Sequence, residues 1–143
     1  MNHLISFAVL LCFAWCPPPA RAQEPGTNPK TLPFSAARKA GNTLYISGTV
    51  ARTPEGVFKR DSVAAETKQI MENIGRVLLQ HGYTYDDIVS ATVYLNDLGD
   101  YAEMNAAYAE FFKHGYPARA CVGGVNIVFD LRVEIVCVAY KDL

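Results

Sequence analysis

The alternation of apolar and polar positions divides the chain into short segments of two kinds. Residues 34–40 and 43–49 are strand-like and are separated by Gly41-Asn42. A two-residue Gly-Asn connection predicts a hairpin, because both residue types tolerate positive φ. Thr53-Pro54-Glu55-Gly56 reads as a second turn, with proline suited to its second position. From Asp61 the period changes: Val63, Ile70, Ile74, Val77 and Leu78 recur at the 3.6-residue spacing of a one-sided helix. Asp61 or Ser62 can cap its first N–H groups, and Gly82 can end it. The β-branched run at 88–95 is of strand length. After Asp100, a candidate cap, Met104, Tyr108 and Phe111 predict a second helix through Phe112, closed by His114-Gly115-Tyr116-Pro117. Strands at 118–122 and 131–140 complete the chain.

The resulting order, β-β-α-β-α-β-β, predicts a two-layer α/β (α+β) domain with both helices on one face of the sheet. The other face needs a partner. In the last strand Val133 and Ile135 point one way while Val136 and Val138 point the other, so both faces are apolar. Oligomerisation is the simple expectation.

The first 22 residues differ from the rest. Residues 4–15 form an apolar run without a charge, shorter than the roughly 20 residues a membrane-spanning helix requires. Ala20 and Ala22 fit the small positions of a signal-peptidase site. The leading reading is a signal peptide at 1–22 cut after Ala22, then a flexible arm at 23–32 and one domain at 33–143. A retained membrane anchor or a mis-called start codon is the alternative. Cleavage would give an exported protein, periplasmic or secreted, with no membrane attachment.

The full chain carries 13 Lys and Arg against 14 Asp and Glu, a net charge of −1, with no basic run. Nucleic acid and anionic membrane are therefore not indicated as partners. Of four cysteines, Cys121 and Cys137 lie beyond the signal segment. Export permits a disulfide between them, but two cysteines make no framework. No Cys-x-x-Cys or histidine cluster points to a metal, and His81 and His114 sit near expected helix ends, where a cation favours the dipole.

Candidate chemistry is sparse. Gly123-Gly124 is too short and too far from a helix start to cradle phosphate, and Ser35, Ser47 and Ser90 lack a nucleophile context. Arg119 starts a strand in an otherwise apolar segment. It is either a rim cation paired with an acid or a planar fork that grips a carboxylate through charge-assisted hydrogen bonds. Glu134, between Val133 and Ile135, is either paired with an arginine or kept for proton handling. Cys121 reads by default as a small buried hydrophobe.

Pro117-Ala118-Arg119-Ala120-Cys121-Val122 resembles the Pro-Ala-Arg-Ser-x-Val strand of the Rid family, the YjgF-type reactive intermediate deaminases. Val133-Glu134-Ile135-Val136 is similar to that family's last strand, and Pro33-Phe34-Ser35, Gly41-Asn42 and Ser47-Gly48 to its opening. Residues 104–112 resemble its Asn-x-x-Tyr-x-x-Phe-Phe helix, and 87–95 its middle strand. The resemblance spans 31–140.

What it implies is a chorismate-mutase-like fold, a mixed sheet in a homotrimer, with ligand clefts between subunits. It also implies hydrolysis of 2-imino acids, such as 2-iminopropanoate or 2-iminobutanoate, to 2-keto acids and ammonia. Carried over by position, Arg119 clamps the substrate carboxylate and Glu134 orients or deprotonates the attacking water. Asn105 and Ser47 line the cleft, and Cys121 supplies backbone and wall. No cofactor or metal follows from this chemistry. Phe34 stands where deaminating members have tyrosine, and Ala120 where serine is common. Residues 123–130 replace the usual turn with a more apolar one. Phe34, the apolar turn and the signal peptide favour the alternative, a non-catalytic trimeric binding protein for small carboxylates outside the cytoplasm, whereas retention of Arg119, Asn105, Cys121 and Glu134 together favours the deaminase. Nuclease activity, known for relatives, finds no support in the charge pattern.

Overall fold

The computed structural model describes residues 32–142; the expected signal peptide, and the expected arm apart from Leu32, lie outside the described residues. The elements are β1 (Ala37–Ala40), β2 (Thr43–Thr49), α1 (Val63–Gln80), β3 (Ile88–Leu95), α2 (Tyr101–Ala109), β4 (Ala118–Val122) and β5 (Val133–Tyr140), with three short 3-10 turns between them. The five strands form one mixed sheet in the order β1-β2-β5-β3-β4. All pairs are antiparallel except β3 with β4, the two strands joined through α2.

Helix α1 forms because one stripe is apolar and its ends are satisfied. Ser62 Oγ accepts from the Ala65 N–H at 3.1 Å, so Ser62 rather than Asp61 is the cap. At the other end Gly82 adopts φ +80° and the Tyr83 N–H donates to the Leu78 carbonyl at 2.9 Å. His81 Nδ1 lies 2.9 Å from the Val77 carbonyl at that same end. Val63, Ile70, Ile74 and Leu78 are buried against Leu44, Ile46, Val93, Ile135 and Cys137 of the sheet. Fully burying side chains of this size contributes about 1.5–3 kcal/mol each.

Three buried residues of this helix are polar, Glu66, Thr67 and Gln69, and one of them carries a carboxyl. Glu66 is 1 % exposed, and its Oε2 accepts from the backbone N–H groups of Arg132 at 2.7 Å and Val133 at 3.2 Å. Burial pushes its pKa up, against the pull of those two donors and of the Arg132 and Arg60 charges. Glu66 thereby pins the start of β5 to α1.

Several boundaries move from expectation. β1 starts at Ala37, not residue 34; the bond from Ser47 N–H to the Ala36 carbonyl at 3.0 Å carries its pairing with β2 only one residue further. In the hairpin turn only Gly41 has positive φ. α2 ends at Ala109 rather than Phe112, as Phe111 and Phe112 donate three residues back in a tightened last turn. Asp100 makes no capping bond; Asp97 caps the preceding 3-10 turn through Gly99 instead. His114 sits not at a helix end but 3.8 Å from Asp86. β5 begins at Val133 rather than residue 131, because Phe129 (φ +62°) and Asp130 (φ +55°) stand in the left-handed region and break the extended chain. Each such non-glycine residue costs about 1–3 kcal/mol.

Burial alternates along β5: Val133, Ile135, Cys137 and Ala139 face the helices, while Glu134, Val136 and Val138 occupy the other face, which no helix covers among the described residues.

Candidate functional site

Arg119 sits on β4 opposite Ala91 of β3, and Ala91 is buried in the core, so the arginine points to the helix side of the sheet. There it meets α2. Its Nη2 donates to Asn105 Oδ1 at 2.6 Å, its Nη1 lies 3.9 Å from Met104 Sδ, and its guanidinium carbon is 4.9 Å from the Tyr108 ring centroid and 5.9 Å from that of Tyr101. These contacts orient the fork without neutralising it. Among the described residues the ion pairs are Lys68 with Glu110 and the His114–Asp86 contact, so no carboxylate claims Arg119. The guanidinium lines a cleft of about 480 Å³ with Asn105, Tyr108, Ala109, Tyr116 and Pro117.

Cys121 lies two residues along the same face of β4 and packs against the core. Burial raises its thiol pKa despite the nearby Arg119 charge, and burial pushes Cys137 up to about 12. Both cysteines are free. Neither is a ready thiolate, which fits Cys121 as a wall and not as a nucleophile. The Tyr108 hydroxyl is buried with no hydrogen-bond partner, and burial raises its pKa.

Glu134 belongs to a second cleft, of about 720 Å³, shared with Phe34, Ser47, Gly48, Val128 and Phe129. Gly48 makes room for it: a Cβ there would overlap Glu134 Oε1. The Ser47 hydroxyl donates to the Ala36 carbonyl at 3.1 Å, leaving its lone pairs for a ligand. Thus the sequence-predicted residues gather in two groups, Arg119 with Asn105 and Cys121, and Glu134 with Ser47 and Phe34. The two clefts share no lining residue.

The sequence did not reveal the role of Gly48 in seating Glu134, the aromatic bracket of Tyr101 and Tyr108 around Arg119, or Glu66. For Glu66 a signal existed: it falls three residues after Val63 and four before Ile70, on the apolar stripe.

Comparison with known proteins gives one family. The endoribonuclease L-PSP family, Ribonuc_L-PSP, matches residues 26–141. A RutC family protein of Pyrococcus horikoshii is 40% identical over 116 residues, covering 80% of this chain and 92% of its own. The chloroplastic Reactive Intermediate Deaminase A of Arabidopsis thaliana is 35% identical over 108 residues, covering 75% of this chain and 58% of its own. Among solved structures, Escherichia coli TdcF with bound serine superposes with a TM-score of 0.74 at 27% identity, covering 79% and 91% of the two chains.

Proposed function

The chain belongs to the Ribonuc_L-PSP family of YjgF/RidA proteins, and from that premise we propose that it hydrolyses 2-imino acids to 2-keto acids and ammonia. The site would be completed by a neighbouring copy of the chain in a homotrimer. The single observation that carries the reading is Arg119: a guanidinium held at a cleft by Asn105 and Tyr108, with no acid paired to it among the described residues. A charged fork so placed fits an external carboxylate. The name of the Arabidopsis relative and the serine bound in the E. coli structure support an amino-acid-like ligand and a deaminating reaction.

Within one copy, Arg119 and Glu134 line separate clefts. The uncovered sheet face with Val136 and Val138 supports assembly, which would set the Glu134 cleft of one copy beside the Arg119 cleft of another. In that composite site Arg119 and Asn105 hold the carboxylate of a 2-iminopropanoate or 2-iminobutanoate. Glu134 takes a proton from water as its oxygen bonds to the electrophilic iminium carbon. The proton returns to the nitrogen of the tetrahedral carbinolamine, Glu134 takes the hydroxyl proton as the C–N bond breaks, and ammonia leaves as the carbonyl forms; that proton then passes to ammonia, restoring the Glu134 carboxylate. No covalent enzyme intermediate is required, because positioning of water and carbonyl-like carbon supplies most of what the reaction lacks. Ser47 and Phe34 line the Glu134 side, and Cys121 backs the Arg119 side. Residues 1–22 support export, so the reaction would run outside the cytoplasm.

The test is ammonia and pyruvate release from enzymatically generated 2-iminopropanoate. Wild-type protein should exceed the spontaneous rate and Arg119→Ala should not; equal rates would overturn the reading.

A second reading, a binding protein for small carboxylates, is favoured by Phe34, which brings no hydroxyl to the Glu134 cleft. It predicts saturable heat on titration with pyruvate and no turnover.

A further inference from the structure

The larger cleft sets polar groups that are partly hydrogen-bonded within the chain beside exposed apolar groups. Asn73 donates to the Val50 and Arg52 carbonyls, at 3.0 and 2.9 Å, and Arg76 donates to Asn73. Arg52 donates to the Gly56 carbonyl at 3.2 Å and stacks on Phe58. Beside them lies exposed hydrocarbon: Phe34, Val128 and Phe129 are 60%, 55% and 57% exposed.

Phe129 is not exposed by default. Its backbone stands at φ +62°, a conformation that side chains with a Cβ avoid, and Asp130 follows at +55°. Two contacts hold it there. Arg60 donates to the Phe129 carbonyl at 2.6 Å, and the Phe58 ring stacks on the Phe129 ring with centroids 4.8 Å apart, while Arg60 caps Phe58 from 5.3 Å. A strained segment fastened at both backbone and side chain, with its aromatic face turned to a cleft, is the arrangement of a recognition wall.

We infer that the preferred substrates carry a bulky apolar side chain, of leucine or phenylalanine size, which lies against Phe34, Val128 and Phe129. This inference rests on the deaminase reading above and names its substrate class. A methyl side chain would leave that wall wet. A benzyl or isobutyl group removes water from it, and the gain from one such side chain corresponds to at least about tenfold in kcat/KM.

The experiment compares imines generated in situ from phenylalanine, leucine and alanine by an amino-acid oxidase, each against its spontaneous hydrolysis. Wild-type kcat/KM should favour the phenylalanine- or leucine-derived imine by about tenfold or more, and Phe129→Ala should reduce that ratio towards one. Val128→Ala, a milder change that leaves the Phe58 stack in place, should move the ratio in the same direction. An equal or reversed wild-type preference would overturn the inference, as would variants that lower all rates without changing the ratio. Should no imine be hydrolysed, the deaminase reading fails, and calorimetry with the keto acids then decides this one. Tighter binding of phenylpyruvate than of pyruvate sustains the wall, and equal or weaker binding refutes it.

Discussion

Arg119 and Glu134 stand on opposite faces of one five-stranded sheet. Arg119 is paired in register with the core residue Ala91, and Glu134 alternates with the core residues Val133 and Ile135. Neither can reach the other's cleft by a rotamer change, since the sheet lies between them. A reaction that uses both therefore calls for a second copy of the chain.

Gly48 is where the acid is seated. A methyl group at this position would occupy the space of Glu134 Oε1. Gly48→Ala should leave the fold intact, because a carboxylate on the uncovered face can swing aside. It should lower kcat by about 100-fold, the cost of a misplaced reacting group of this kind. Matching circular dichroism spectra with a kcat near that of Glu134→Ala is the expected pair of results.

The bracket around Arg119 separates ring from hydroxyl. The Tyr108 hydroxyl is buried without a partner, and such a group costs about 1–3 kcal/mol. Tyr108→Phe should keep the ring 4.9 Å from the guanidinium and raise Tm, with KM unchanged. Tyr108→Leu removes the cation–π contact, worth about 0.5–2 kcal/mol, and should raise KM for the imino acid. Thermal denaturation and a KM-against-kcat comparison check both.

Glu66 makes stability depend on pH. Its folded-state pKa is raised by burial, so the folded chain binds the proton more readily than the unfolded one. Its contribution is fully present below the unfolded carboxylate pKa and is lost as pH rises through the folded value. Glu66→Gln keeps a carbonyl oxygen able to accept from Arg132 and Val133 and does not titrate. The stability difference, wild type minus variant, should therefore grow as pH falls from neutral into the carboxylate range, measured by urea denaturation. A pH-independent difference would contradict this account.

Expression in an export-competent bacterium should yield a mature chain beginning at Gln23, detected by intact mass. A full-length chain recovered in the cytoplasmic fraction would count against export.

Much of this was legible in the chain. The element order and the core positions Val63, Ile70, Ile74 and Leu78 follow from periodicity, because an apolar stripe has few ways to bury itself. Boundaries such as the start of β5 were not, since two residues in the left-handed region carry no glycine to mark them. Arg119 and Glu134 stood out as charges in apolar strands, but their separation across the sheet depends on strand register, which a single sequence does not specify. Glu66 was hidden for the opposite reason. Glutamate is an ordinary helix residue, and only its place on the buried stripe distinguishes it.

The central claim is that one copy supplies Arg119 and another Glu134 to the same site. Arg119→Ala and Glu134→Gln chains, each inactive alone, should recover activity on co-expression. If each site takes one residue from each of two adjacent copies in a trimer, random mixing returns about a quarter of wild-type turnover of the imino acid. No recovery from mixed assemblies, with both variants folded and associated, would contradict the claim.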